Sequence, residues 1–359
     1  MKKELKIFFE KVMSCYKDPS SEYHKISGDH WDIFDNDFIN LIKEKDSWKK
    51  FRRNGLTCML ETGLYSVDRK RMIANRELYQ RDYSENEKQD IVKRYHELIS
   101  LAGFDFVSKS IECEVGDPRR YIHDGIPLNF DDLYHIYASW QISRTFNELK
   151  RDPEWILEIG GGYGNLCNKI KKLYPSSKYI ALDLPESLVI QMGYLSQASP
   201  NLKFFDIDGD ICEDVFDVAL MPGWMREKIK DINFDLVINM RSLGEMSNRA
   251  VDYYFNLTQN FISESGLFYC VNRYAFNKSK DLLKLRDFPF DDMWTFLISQ
   301  PQWLQTHLHE WMAMRVKPIV SPKFILKSYP IRTPPAGPMM EDILPLSQWI
   351  ENEKSKNSY

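Results

Sequence analysis

No run of uncharged apolar residues in this chain approaches the roughly 20 needed to cross a bilayer, so no membrane helix is expected. The opening segment, MKKELKIFFEKVMSC, carries charges through its apolar part and lacks the uninterrupted core of a secretory leader. The six cysteines (Cys15, Cys58, Cys113, Cys167, Cys212 and Cys270) are scattered, with no C-x-x-C pair. Without a leader they read as reduced thiols of a cytoplasmic protein. Net charge is only −4, so no basic surface is implied and a nucleic-acid partner is not favoured. There is no G-K-[ST] element, which excludes a P-loop. Internal repeats and low-complexity tracts are also missing.

What is present is 43% hydrophobic residues and 14% aromatics in 359 positions. That suits a large α/β domain with an additional region, or two domains. Residues 1–150 read as helices and loops. Helical spacing runs through Lys3–Tyr16, 35–51, 85–103 and 130–150, with a turn-rich bridge at 116–130. From Trp155 the texture changes to short strands alternating with helices, spanning 151–330. Strands are expected at 155–159, 178–183, 202–205, 234–239, 266–272, 294–299 and 311–317. Helices are expected at 164–174, 185–197 and 247–263. Alternation of this kind makes parallel β-α-β units. Residues 331–359 are Pro-rich, then polar, and read as a C-terminal tail.

The first strand runs into a glycine cluster, EWILEIGGGYGNL. Glycine permits the sharp strand-to-helix turn and lets a ligand approach the backbone. A dinucleotide fingerprint needs G-x-G-x-x-G/A. Counting from Gly160 puts Asn165 in the third place, and counting from Gly161 puts Tyr163 in the second. The spacing that fits is acidic-x-G-x-G-x-G: Glu158, Gly160, Gly162, Gly164. This resembles motif I of class I S-adenosylmethionine (SAM) methyltransferases. Asp183, ending the second strand, suits the two ribose hydroxyls, and Leu184 follows it in the same loop. Asp206, after 202–205, stands where related enzymes meet the adenine.

Strand 234–239 runs into NMRSLGEMS, where an open α/β sheet presents its ligand face. Taken in order, EIGGGYGNL, ALDLPESL and DLVINMRSLGEMS resemble the sugar O-methyltransferases of bacterial surface-polysaccharide gene clusters. GDPRRY and LYHIYASWQI upstream are similar to that family too, and the resemblance covers about 110–320. It implies a Rossmann-like α/β fold with about seven strands, the last antiparallel, a mainly helical N-terminal region, SAM as cofactor and a sugar hydroxyl as acceptor. Two other readings share the strand, glycine loop and Asp183: an NAD(P)-dependent oxidoreductase, and a non-catalytic partner in glycan assembly. An assembly of like chains is compatible with each.

Methyl transfer from a sulfonium is an in-line displacement, and a sugar hydroxyl needs a base to take its proton as the bond forms. Glu245, after the fourth strand, is a candidate, as are His123 in the bridge and His307 in QTHLHEW, with His309 on the same face. Asn239 is expected near the cofactor and Ser242 near the acceptor. Tyr137 shares a helical face with Tyr134 and Trp140, and is a candidate for the acceptor pocket, with helix-to-sheet packing as the alternative. No metal-ligand pattern stands out. The acidic pairs Asp131/Asp132 and Asp291/Asp292 read as helix-start charges. The helical half is expected to close over the acceptor.

Overall fold

The computed structural model describes residues 3–15, 47–53, 80–112, 114–212, 214–277 and 282–330. Of the expected helix over 35–51 all but 47–51 lies outside them, as does the tail at 331–359. At Ser47–Lys49 there is a single 3-10 turn.

Seven strands form one mixed sheet: β3 (Trp155–Ile159), β4 (Lys178–Asp183), β5 (Val218–Pro222), β6 (Phe234–Met240), β7 (Ile262–Arg273), β10 (Thr295–Gln302) and β11 (Gln305–Met314). Their order is β10-β11-β7-β6-β3-β4-β5. β3 with β6, β6 with β7, and β4 with β5 pair parallel, whereas β11 runs antiparallel to both β7 and β10. This is a Rossmann-like mixed sheet with one antiparallel end, as the sequence resemblance implies. The order reverses at β3, the kind of switch point beyond whose strand ends open α/β sheets bind ligands.

Contacts divide the chain into two compact units. In the first (3–15, 47–53, 80–152 and 161–223), α1 (Lys3–Cys15) packs on α6 (Pro185–Ala198), and α4 (Phe130–Leu149) packs on α5 (Asn165–Leu173). α2 (Glu85–Ala102) starts with a capping box, the Ser84 side chain accepting from Glu87 N–H while the Glu87 carboxylate accepts from Ser84 N–H. α3 (Phe104–Ser110) and a hairpin of β1 (Tyr121–His123) and β2 (Ile126–Leu128) follow. Asp124 and Gly125, both at positive φ, make the hairpin's two-residue turn. That hairpin accounts for the turn-rich bridge.

The second unit (153–160 and 224–330) contains β3, β6, β7, β10 and β11, with α7 (Asn248–Phe261), the short pair β8 (Ala275–Asn277) and β9 (Leu282–Lys284), and α8 (Pro322–Lys327). Trp294, Trp311 and Phe290 fill its antiparallel half.

One strand is misplaced in the sequence reading. Residues 202–205 make only an isolated bridge, Phe204 to Val218, and the third parallel strand is Val218–Pro222. Both segments are short and apolar, and only pairing with β4 decides between them. β11 also begins earlier than expected, at Gln305. Its polar stretch QTHLHE is a strand because it bonds to β7 on one side and β10 on the other.

Candidate functional site

β3 ends at Ile159, and Gly160, Gly162 and Gly164 all take positive φ (73, 62 and 95°) before α5 begins at Asn165. The alternating spacing therefore marks the three positions where an L side chain is strained.

Within the second unit, the loop after β6 braces the end of β3. Asn239 Nδ2 donates to the Ile159 carbonyl at 2.8 Å and to Ser242 Oγ at 2.5 Å, and Ser242 Oγ donates to the same carbonyl at 3.0 Å. Asn272 completes the brace: its Nδ2 donates to Asn239 Oδ1 at 2.8 Å, and its Oδ1 accepts from Gly244 N–H at 2.7 Å. Sequence reasoning missed Asn272, although an amide ending an otherwise apolar strand, FYCVN, was a visible signal. Asn239 is fully buried and Ser242 is half-buried, and both are engaged in fixing the loop.

Between them Arg241 sits at φ 71°, a conformation a non-glycine residue keeps only where its surroundings hold it; its N–H bonds the Val271 carbonyl at 2.6 Å. Glu245 is buried in the turn that follows. Burial pulls the Arg273 guanidinium below the usual arginine range, Glu245 opposes that, and Arg241 adds to it. The Glu245 carboxylate is thus within electrostatic reach of a partly desolvated arginine.

Asp183 organises the first unit's share of the site. Oδ1 accepts from Leu184 N–H at 2.7 Å, and Oδ2 from Gly162 N–H at 3.2 Å and Gln191 Nε2 at 2.9 Å. Burial pushes its carboxyl up to about 7, against the pull of the Leu184, Gly162, Ser187 and Gly161 donors. Gln191 escaped the sequence reading because it stands two helical turns beyond the acid. Leu184 is the N-cap residue of α6, with Pro185 in the first turn. Gly223 N–H bonds the Asp183 carbonyl at 3.2 Å, so the end of β5 lies beside Asp183. Asp206, by contrast, does not end a strand. It is exposed, bonds Lys11 Nζ at 2.6 Å, and lines a cavity of about 480 Å³ with Phe8, Met192 and Phe205.

Beneath the glycine loop lies a buried polar network. The Tyr163 hydroxyl donates to Asp131 Oδ2 at 2.7 Å, and the Arg52 guanidinium stands 4.8 Å from its ring centre. Asp132 pairs with Lys169 at 2.6 Å, both almost wholly buried, and also accepts from Asn165 Nδ2 and Glu112 N–H. Asp131 and Asp132 do stand in the first turn of α4, as expected of helix-start charges, and they are buried there. The other pair is engaged too, Asp291 with Arg315 and Asp292 with the Ser321 hydroxyl. Among the described residues no three His, Cys, Asp or Glu side chains gather as a metal site.

The remaining candidates scatter. His123 packs with Tyr95, His96 and Tyr121 on the hairpin. Tyr137 is 2% exposed and packs against Trp140. His307 is half-buried near the start of β11, next to the Leu308–Arg273 register pair at the carboxyl end of β7. His309 is fully buried, its Nδ1 2.8 Å from the Tyr274 hydroxyl and its Nε2 3.1 Å from the Ser299 hydroxyl; desolvation drives it down to about 3.

Residues 141–220 match the model of a family described as an O-methyltransferase domain. That match takes in the glycine loop and Asp183, and it supports SAM as the cofactor and methyl transfer as the reaction. No curated protein matches the chain. Solved structures that resemble it include coclaurine N-methyltransferase bound to N-methylheliamine and S-adenosylhomocysteine (SAH), 14% identical over 68% of this chain and 77% of that one, with a TM-score of 0.33. The glycopeptide N-methyltransferase MtfA is 13% identical over 48% and 88%, TM-score 0.31. The plantazolicin methyltransferase BpumL is 16% identical over 52% and 60%, TM-score 0.28; this chain thus spans about three-fifths of its length. Likenesses of this size decide neither acceptor nor reaction.

Proposed function

We propose that this protein is a SAM-dependent O-methyltransferase acting on a sugar hydroxyl, with a place in bacterial surface-polysaccharide synthesis. The observation that carries the cofactor is the loop between β3 and α5, where three alternating glycines adopt positive φ and Gly162 N–H points at Asp183. The sugar rests on the likeness of DLPE and SLGEM to the polysaccharide-cluster enzymes.

Bound SAM supplies a methyl group already activated by the sulfonium charge. Asp183, as carboxylate, accepts from the ribose hydroxyls, with Gln191 and Leu184 N–H fixing its direction. The free N–H groups opening α5 favour a carboxylate, which suits the methionine end. Glu158, 2% exposed next to the end of β3, faces the amino group in this reading. Asn239 and Ser242 hold the loop. Glu245, steadied by Arg273, accepts a hydrogen bond from an acceptor hydroxyl, and His307 lies along the same strand end. Alignment of acceptor oxygen, methyl and sulfur then supplies several kcal/mol of the barrier.

Calorimetry with SAH and, separately, with NADH tests this. Micromolar SAH binding with no NADH heat is expected. A folded protein that binds NADH and ignores millimolar SAH removes the proposal in favour of hydride transfer.

A further inference from the structure

We propose that His135 is the general base, held by Asp131; this rests on the methyl transfer proposed above. His135 sits one turn into α4, and its Nδ1 is 3.2 Å from Asp131 Oδ2, the oxygen that also receives the Tyr163 hydroxyl at 2.7 Å. Tyr163 is the residue between Gly162 and Gly164, so the dyad is tied by one shared carboxylate to the cofactor loop. The side chain of His135 is 11% exposed and that of Asp131 6%.

The tautomer follows from the neighbours. Asn165 Nδ2, 3.3 Å from His135 Nδ1, also donates to Asp132 Oδ1 at 3.1 Å, whereas the Asp131 carboxylate 3.2 Å from Nδ1 has no hydrogen to give and can only accept. The proton on the imidazole therefore goes to Nδ1, facing the Asp131 carboxylate, and Nε2 keeps its lone pair. Nε2 has no hydrogen-bond partner among the described residues. An imidazole oriented by a carboxylate on one nitrogen and open on the other is the arrangement that general-base catalysis requires. The charged groups around it are accounted for: Asp131 on its own helix, the Asp132–Lys169 pair on α4 and α5, and Glu112 facing Arg52 at 3.7 Å.

In the step, Nε2 takes the proton of the acceptor hydroxyl as an oxygen electron pair forms the new C–O bond. The C–S bond breaks with its pair going to sulfur, leaving a neutral thioether. The imidazolium, stabilised by Asp131, then passes its proton to solvent. Sequence alone showed Asp131 and His135 at i and i+4, one face of a helix. The structure adds that Tyr163 shares their carboxylate.

The test is histidine side-chain nitrogen NMR on the full protein with 15N-labelled histidine, His135 being assigned by loss of its signal in His135→Gln. With SAH bound, an Nδ1–H tautomer is expected. Replacing SAH by sinefungin, which puts an ammonium where the methyl group would stand, should move the His135 Nε2 resonance while leaving that of His123 in place. Asp131→Asn should transfer the proton to Nε2, a change that packing alone would not produce. An Nε2–H tautomer in the wild type, or an identical His135 Nε2 resonance in the two complexes, overturns the assignment while the cofactor reading stands. Failure of the folded protein to bind either ligand overturns both.

Discussion

Ser242 fills the space that a side chain at Gly160 would need: a β-carbon there would lie 2.1 Å from the Ser242 hydroxyl oxygen. Two constraints meet at this glycine, the serine against it and a φ of 73°. Gly160→Ala should therefore cost at least about 1 kcal/mol from backbone strain alone, with the clash added. Adding Ser242→Gly should recover the steric part but not the strain. Urea unfolding of the two single variants and the double variant measures the coupling; purely additive effects would show that the two residues do not meet.

Asp183 makes cofactor affinity depend on pH. Its pKa is raised to about 7 in the free protein, while ribose hydroxyls bind the carboxylate. Binding must then expel a proton below that value. The SAH dissociation constant should be flat above about pH 8 and rise up to about tenfold per unit below about pH 6. Calorimetry across this range checks it, and Asp183→Asn should bind weakly with no such slope.

The Asp132–Lys169 pair should behave as a buried charge pair. Lys169→Met leaves a carboxylate uncompensated and is expected to cost roughly 3–5 kcal/mol. Lys169→Met with Asp132→Leu removes both charges and should be less damaging than the single change. Denaturant midpoints of the three proteins decide; a double variant worse than Lys169→Met would contradict the pairing.

His309 should make the fold acid-labile. In the unfolded chain it takes up a proton as pH falls through about 6.5, but in the folded protein only near 3. Its contribution is thus fully present above about pH 6.5 and is lost as pH falls from there toward 3, the unfolded state binding the extra proton. Unfolding free energies between pH 7 and 5 should decline less steeply in His309→Gln than in the wild type.

Much of the sheet was legible because local pattern and long-range pairing agree. WILEI and KYIALD are apolar runs of strand length followed by helical spacing, and they became β3 and β4. The third strand was not legible, because 202–205 and 218–222 present the same short apolar signal and the choice depends on β4. The glycine loop was read from spacing alone, since each spaced glycine answers a backbone demand. Asp131 and Asp132 were legible as helix-start charges, and they do open α4, but their burial was not legible. Their burial depends on Lys169, 37 residues away, and on Tyr163, 32 away. No periodicity carries that information, so the network beneath the loop emerged only with the fold.

The brace between Asn239 and the Ile159 carbonyl spans 80 residues of chain. At about 5–20 residues per second, a ribosome delivers Asn239 several seconds after β3. During that interval Gly160 has no serine against it, and β3 offers one unpaired parallel edge. Long-range parallel pairing of this kind also forms slowly once the chain is complete. The glycine loop therefore acquires its brace only after β6 and the turn beyond it have been made. The nascent chain passes through a stage in which it holds the glycine motif without the side chains that brace it.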